Sequence, residues 1–148
     1  VFFGLTLRHD KRHMVRAVLE GVAYSLRDCI ELFRDIAIPI QQVRAVGGGA
    51  RSAAWRQIIA DVFGTELVTT NVSDSTAYGA ALLAGVGAGV YRTVEEACSQ
   101  TIHIVDRTDP IPANEKIYDE YYPVYQSLYP ALKPAYDAIA AITINEQI

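Results

Sequence analysis

Residues 43–52 read VRAVGGGARS, and an amphipathic stretch, AAWRQIIADVFG, follows at 53–64. A β-branched run that turns on three glycines straight into a helix leaves few folds open. Glycine has no Cβ, so the backbone can turn tightly and a ligand can approach it closely. The first turn of the following helix offers N–H groups that have no intrahelical acceptor. Such a turn cradles a phosphate, seats another part of a nucleotide, or simply redirects the chain. A phosphate loop of the G-x-x-x-x-G-K-[ST] kind needs a Gly-Lys pair, and none follows here. A dinucleotide turn needs G-x-G-x-x-G. Gly47 and Gly49 supply the first two positions, but Ser52 stands at the third. Glu66 lies at about the distance of a ribose-binding acid, yet at the start of its strand rather than the end.

The flanking pattern extends the strand–helix alternation. VFFGLTL (1–7) reads as a strand end and turn. From Asp10 a helical pattern runs to Pro39, with Met14, Val18, Val22, Leu26, Ile30 and Phe33 as an apolar stripe that Val15, Leu19, Ala23 and Ile36 widen. QQVRAV (41–46) is a strand, 53–63 a helix stopped by Gly64, TELVTT (65–70) a strand, and 75–86 an Ala- and Gly-rich helix. Thr93 with Glu96 makes a capping box for the helix VEEACSQ. IHIVD (102–106) is a strand, DPIPAN a loop, and a Tyr-rich helical region runs from about Glu115 to Ala141, expected to break or bend near Pro123, Pro130 or Pro134. This order predicts one α/β domain with at least some parallel strands.

Composition narrows the function. The 148 residues carry a formal charge of −4, and no basic stripe is present, so binding to nucleic acid through phosphate contacts is not expected. A glycine turn binds through backbone N–H groups, and an acidic chain can therefore still hold a nucleotide. Cys29 and Cys98 form no CxxC and are expected as buried thiols in a reducing, cytoplasmic setting. No apolar run is long enough to span a membrane. The sequon NVS (71–73) has no visible secretion signal to give it meaning.

Two segments resemble the FGGY carbohydrate kinases. VFFGLTLRHDKRHMVRAVLE (1–20) is similar to the second FGGY signature: an aromatic, Gly-Leu, a spacer, then His-Met-x-x-Ala-Val-Leu-Glu. VGGGARSAAWRQIIADVFG (46–64), followed by AYGAALLAG (77–85), resembles the family's adenosine-binding region. YDEYYPVYQSLYPALK (118–133) is similar to its C-terminal helix. The likeness spans nearly the whole chain and is strongest to the xylulokinase branch. Only the small residue that would precede Val1 is missing, so a truncated piece is expected.

The resemblance implies an actin-like ATPase (ribonuclease H-like) fold, with residues 1–148 as a partial C-terminal domain of a two-domain sugar kinase. It implies transfer of the γ-phosphoryl of ATP to a sugar hydroxyl, with Mg²⁺ held mainly by phosphates and by residues outside this chain. The xylulokinase branch acts on D-xylulose; other branches act on glycerol, gluconate, ribulose or rhamnulose. By the same resemblance Gly48 and Gly49 lie against the adenosine. Ala53 stands where relatives often carry an Asn that reaches the adenine. Arg51 or Ser52 could compensate, against plainer roles as a solvated residue and an N-cap. The catalytic Asp lies upstream in such kinases, so no catalytic residue is assigned here, and the chain is expected to be inactive alone. Partners implied are ATP or ADP, a sugar bound mainly elsewhere, and a homodimer mate.

Other residues have plain readings beside functional ones. His9 and His13 are spaced like a helical metal pair but lack a third ligand, and a solvated helix start is preferred. Glu20 is expected to bond within the domain. Gln57 and Asp61 could reach toward a nucleotide, although surface or helix-turn roles are preferred. Trp55 either walls the adenine or anchors its helix. Ala77, Gly79, Ala80, Ala81 and Ala84 suit close packing, and the helix they sit on could brace the nucleotide site. The Tyr cluster at 118–129 suits packing or a subunit interface. Outside the kinases, a dinucleotide-binding redox domain and a non-catalytic interaction domain remain as alternatives.

Overall fold

The computed structural model describes residues 1–72 and 74–145; Ser73 of the sequon lies outside them. The order is α1 (Lys11–Asp35), β1 (Val43–Ala45), a 3-10 turn (Gly48–Arg51), α2 (Ala53–Phe63), β2 (Leu67–Thr70), α3 (Ser75–Gly87), α4 (Val94–Thr101), β3 (Ile104–Thr108) and α5 (Pro112–Asn145). The sheet runs β1-β2-β3. β1 is parallel to β2, with Val43 opposite Leu67 and Ala45 opposite Thr69. β3 is antiparallel to β2, with Leu67 opposite Thr108.

The core forms around α2. Ile58, Ile59, Ala60, Val62 and Phe63 are buried there, together with Ala23 and Tyr24 of α1, Leu67 of β2, and Tyr118 and Tyr122 of α5. Burying each large side chain contributes about 1.5–3 kcal/mol. The burial is one-ended. The C-terminal half of α2 is packed from all sides, while Ala53 and Ala54 at its start are exposed. Ser52 caps α2, its Oγ accepting from the Trp55 N–H at 3.3 Å, and Gly64 ends it at φ 60°, in the left-handed region that favours glycine.

Several expectations are corrected. VFFGLTL forms no strand; it is an exposed coil with a turn closed by His9 N–H donating to Thr6 O at 3.1 Å. The α1 stripe Met14–Val18–Val22–Leu26 faces outward, and Val18 is 54% exposed. Of the same stripe, Leu19, Ala23 and Ile30 do pack on the core, joined by Tyr24, which the stripe left out. α1 ends at Asp35, four residues before Pro39. Cys29 is exposed rather than buried. β3 starts two residues later than read, because the Asn71 side chain takes up the chain at 101–103: its Nδ2 donates to Thr101 O at 3.0 Å and its Oδ1 accepts from His103 N–H at 2.8 Å.

α5 runs unbroken through Pro123, Pro130 and Pro134, and it begins at Pro112, inside the stretch read as loop. Each proline strips the carbonyl four residues earlier of its donor. Those carbonyls belong to Asp119, Gln126 and Pro130, all on exposed residues where water can serve them. The small-residue face of α3 is not packed on a neighbouring backbone: Ala77, Ala80, Ala81 and Ala84 are exposed, and Leu82 is the buried residue of that helix.

Candidate functional site

Because β1 and β2 are parallel, their C-terminal ends share one edge of the sheet. From that edge β1 leads into the glycine turn and α2, and β2 leads toward α3. In open α/β sheets a ligand crevice lies outside the carboxyl ends of the strands. Gly47 has φ 80° and ψ −170°, a conformation that an L side chain would strain. The turn then closes with Ala50 N–H donating to Gly47 O at 3.2 Å and Ser52 N–H to Gly49 O at 3.1 Å. Gly48, Gly49, Arg51, Ser52 and Ala53 all come out exposed and contiguous on this edge. A Cβ at Gly48 would meet nothing within 4 Å, so the space over that residue is open.

The turn is braced from two sides. A Cβ on Gly49 would sit 3.0 Å from Trp55 Nε1, so the indole lies directly against the turn while also packing on the core. Trp55 therefore anchors α2, the plainer of its two readings, and its indole edge lies beside Gly49. Arg56, missed in the sequence, donates from Nη1 to Ala50 O and from Nη2 to Asp106 Oδ2, each at 2.7 Å. Its signal was local, because helical side chains lean toward the N-terminus and so back over the turn.

Asp61 has a helix role of the kind expected rather than a surface one. It is 1% exposed. Its Oδ1 accepts from Ile111 N–H at 2.8 Å and Gln57 Nε2 at 2.7 Å, and its Oδ2 from Asn114 Nδ2 at 2.8 Å. Gln57 Nε2 also donates to Asp109 O at 2.9 Å. Asp61 thus caps the start of α5 from α2 and holds it in place, away from the exposed end of α2.

Glu20 bonds within the domain as expected, accepting from Arg16 Nε and Tyr118 Oη, both at 2.7 Å. Burial, and then the bond to Glu20, push the Tyr118 phenol up to about 12. Asp10 caps α1 through the Arg12 and His13 N–H groups, and His13 Nδ1 accepts in return from the Asp10 N–H at 3.2 Å. The Arg12 side chain, then His13, hold the Asp10 carboxyl well below the usual carboxylate range. His9 and His13 are thereby occupied as turn and cap residues. Among the described residues no group of three or more His, Cys, Asp or Glu is placed to hold a metal ion. Tyr24, Tyr118, Tyr122 and Tyr125 pack on one another between α1 and α5, which uses the cluster for internal packing; Tyr121 and Tyr129 remain exposed.

A broad groove of 1480 Å³ lies elsewhere, between residues 1–5, α1 and α5, with Phe2, Val18, Val22 and Tyr121 among its walls. It is apolar and open, and it does not include the glycine turn.

A parallel strand pair whose ends carry an exposed glycine turn and two helices is part of an actin-like ATPase domain, the fold of the solved sugar kinases this chain resembles. The family model for the FGGY family of carbohydrate kinases, C-terminal domain, matches residues 1–88, and the chain belongs to that family. It is 32% identical over 142 residues to the xylulose kinase of Staphylococcus epidermidis, covering 96% of this chain and 29% of that protein. It is 37% identical over 144 residues to the gluconokinase of Bacillus subtilis, covering 94% of this chain and 27% of that one. The crystal structure of xylulose kinase from Rhodospirillum rubrum superposes with a TM-score of 0.79 at 31% identity, over 93% of this chain and 28% of that one. The chain therefore spans less than a third of the length of these relatives.

Proposed function

We propose that this chain supplies the adenosine-binding part of an ATP-dependent sugar kinase, with D-xylulose as the acceptor and D-xylulose 5-phosphate as the product. The observation that carries the reading is the exposed glycine turn at the C-terminal edge of the parallel strands, with open space over Gly48. Gly48 and Gly49 present backbone to the nucleoside. Ser52 spends its hydroxyl on capping α2, which leaves Arg51 as the side chain able to stack on or edge the base; Ala53 adds no polar contact. The similarity to xylulose kinases supports the sugar, and gluconate is the second reading, favoured by the 37% identity to a gluconokinase.

Mg²⁺ in this reaction would neutralise charge on the β- and γ-phosphates. The residues of this chain would bind and orient the nucleoside end, and the metal would be held by the phosphates and by residues beyond this chain. The catalytic Asp is likewise placed outside the chain, so an assay of ATP-dependent sugar phosphorylation on the chain alone should give no turnover. No helix among the described residues is long and apolar enough to cross a membrane, and a cytoplasmic site, where ATP is at hand, suits the reaction. A homodimer would use the faces of α1 and α5 that stay exposed. Calorimetric titration with ADP and with NADH tests the reading. Binding of ADP alone supports it, and binding of NADH without ADP turns the chain into a redox module.

A further inference from the structure

We propose that Arg56 is a positioning residue for nucleotide binding: it ties the glycine turn to strand β3 and holds the Gly48–Gly49 backbone in the shape that receives the nucleoside. This rests on the reading that adenosine lies against that turn. Three glycines in succession give a backbone with much conformational freedom, and ordering it upon binding costs affinity. The guanidinium removes part of that freedom beforehand. Nη1 accepts no alternative role: it donates to Ala50 O at 2.7 Å, in the middle of the 3-10 turn. The Ala50–Arg51 peptide is planar, so fixing this carbonyl also fixes the direction of the Arg51 N–H.

The far end of the strut is equally defined. Nη2 donates to Asp106 Oδ2 at 2.7 Å and Nε to Thr108 Oγ1 at 3.4 Å, two residues on the same face of β3. The Arg56 side chain is only 14% exposed, and each of its three nitrogens is engaged, so it acts through the turn rather than on a ligand. Trp55 adds a second contact on the turn, its indole lying against Gly49. A lysine could keep the charge beside Asp106 but could not span both acceptors, because only the planar fork presents donors in two fixed directions. β3 lies beyond residue 88, so the strut links the segment matched by the family model to a strand outside it.

The test uses the full chain with three variants, Arg56→Lys, Asp106→Asn and Gly48→Val, titrated with ADP and with adenosine while Trp55 emission and heat are followed. Arg56→Lys is expected to melt close to the parent chain yet bind both ligands about tenfold more weakly, as for one lost charge-assisted hydrogen bond. Asp106→Asn is expected to weaken both ligands in the same proportion to each other, by a smaller factor. Unchanged affinities in both variants, whatever their melting temperatures, overturn the proposal and leave Arg56 a plain structural strut. Gly48→Val fills open space without a clash and reports the underlying reading separately. If it binds ADP as tightly as the parent, the nucleotide is not on this turn and both ideas fall. If it blocks binding while Arg56→Lys does not weaken it, only the positioning role falls.

Discussion

At the scale of single residues, the molecule depends on side chains that reach across the sequence. Asp61 accepts three hydrogen bonds in a buried place, two of them from residues 50 and more positions away. Asp61→Ala would leave those donors unsatisfied and is expected to lower stability by about 3 kcal/mol, read from the urea midpoint. Ala37 gives the opposite sign. It holds φ 57° just after α1, in the left-handed region, without being glycine. Ala37→Gly is expected to raise stability by about 0.5–1 kcal/mol in the same assay. Ser52 was legible because capping needs only the next three residues. Asp61 was not, and of Arg56 only the bond back to Ala50 was, because their other partners at 106–114 become neighbours only once β3 and α5 have packed.

Among the elements, α2 was legible from end to end: Ser52 opens it and Gly64 stops it, and both signals are local. α5 was read as a helical region with a break or bend near one of its prolines; the break does not occur, because exposure of the freed carbonyls makes the prolines tolerable. The α1 periodicity was legible and its packed face partly so: Leu19, Ala23 and Ile30 pack as expected, while Met14, Val18, Val22 and Leu26 stay exposed, since coverage depends on which elements come to pack. What fixes α1 against α5 is the Tyr cluster with its polar partners. Tyr118 is neutral in the folded chain and its pKa is raised from 10.0 to about 12 by burial and by Glu20. Its contribution is therefore complete below pH 10 and is lost as pH rises toward 12, since the unfolded chain ionises first. Denaturation midpoints should fall over that window, and Tyr118→Phe should flatten the fall. An equally steep fall in the variant would place the effect on other groups.

For the whole molecule, the comparisons and the surface agree. The chain spans 28% of a solved relative, and large apolar side chains stand exposed along one groove of α1 and α5, among them Val18, Val22, Tyr121 and Val124. Contiguous apolar surface of this kind marks an interface. We expect the isolated chain to self-associate as its concentration rises, seen by sedimentation velocity, and a monomer at all concentrations would contradict that. The fold class and the family were legible in the glycine turn and the signature at 1–20. The uncovered faces were not, because periodicity records an apolar side without recording its neighbour. The function itself turns on where ADP lies. Hydrogen–deuterium exchange with and without ADP locates it: slowed exchange confined to residues 47–56 and the start of α3 is expected. ADP binding with no slowing at 47–56, or slowing confined to the α1–α5 groove, would contradict the adenosine seat.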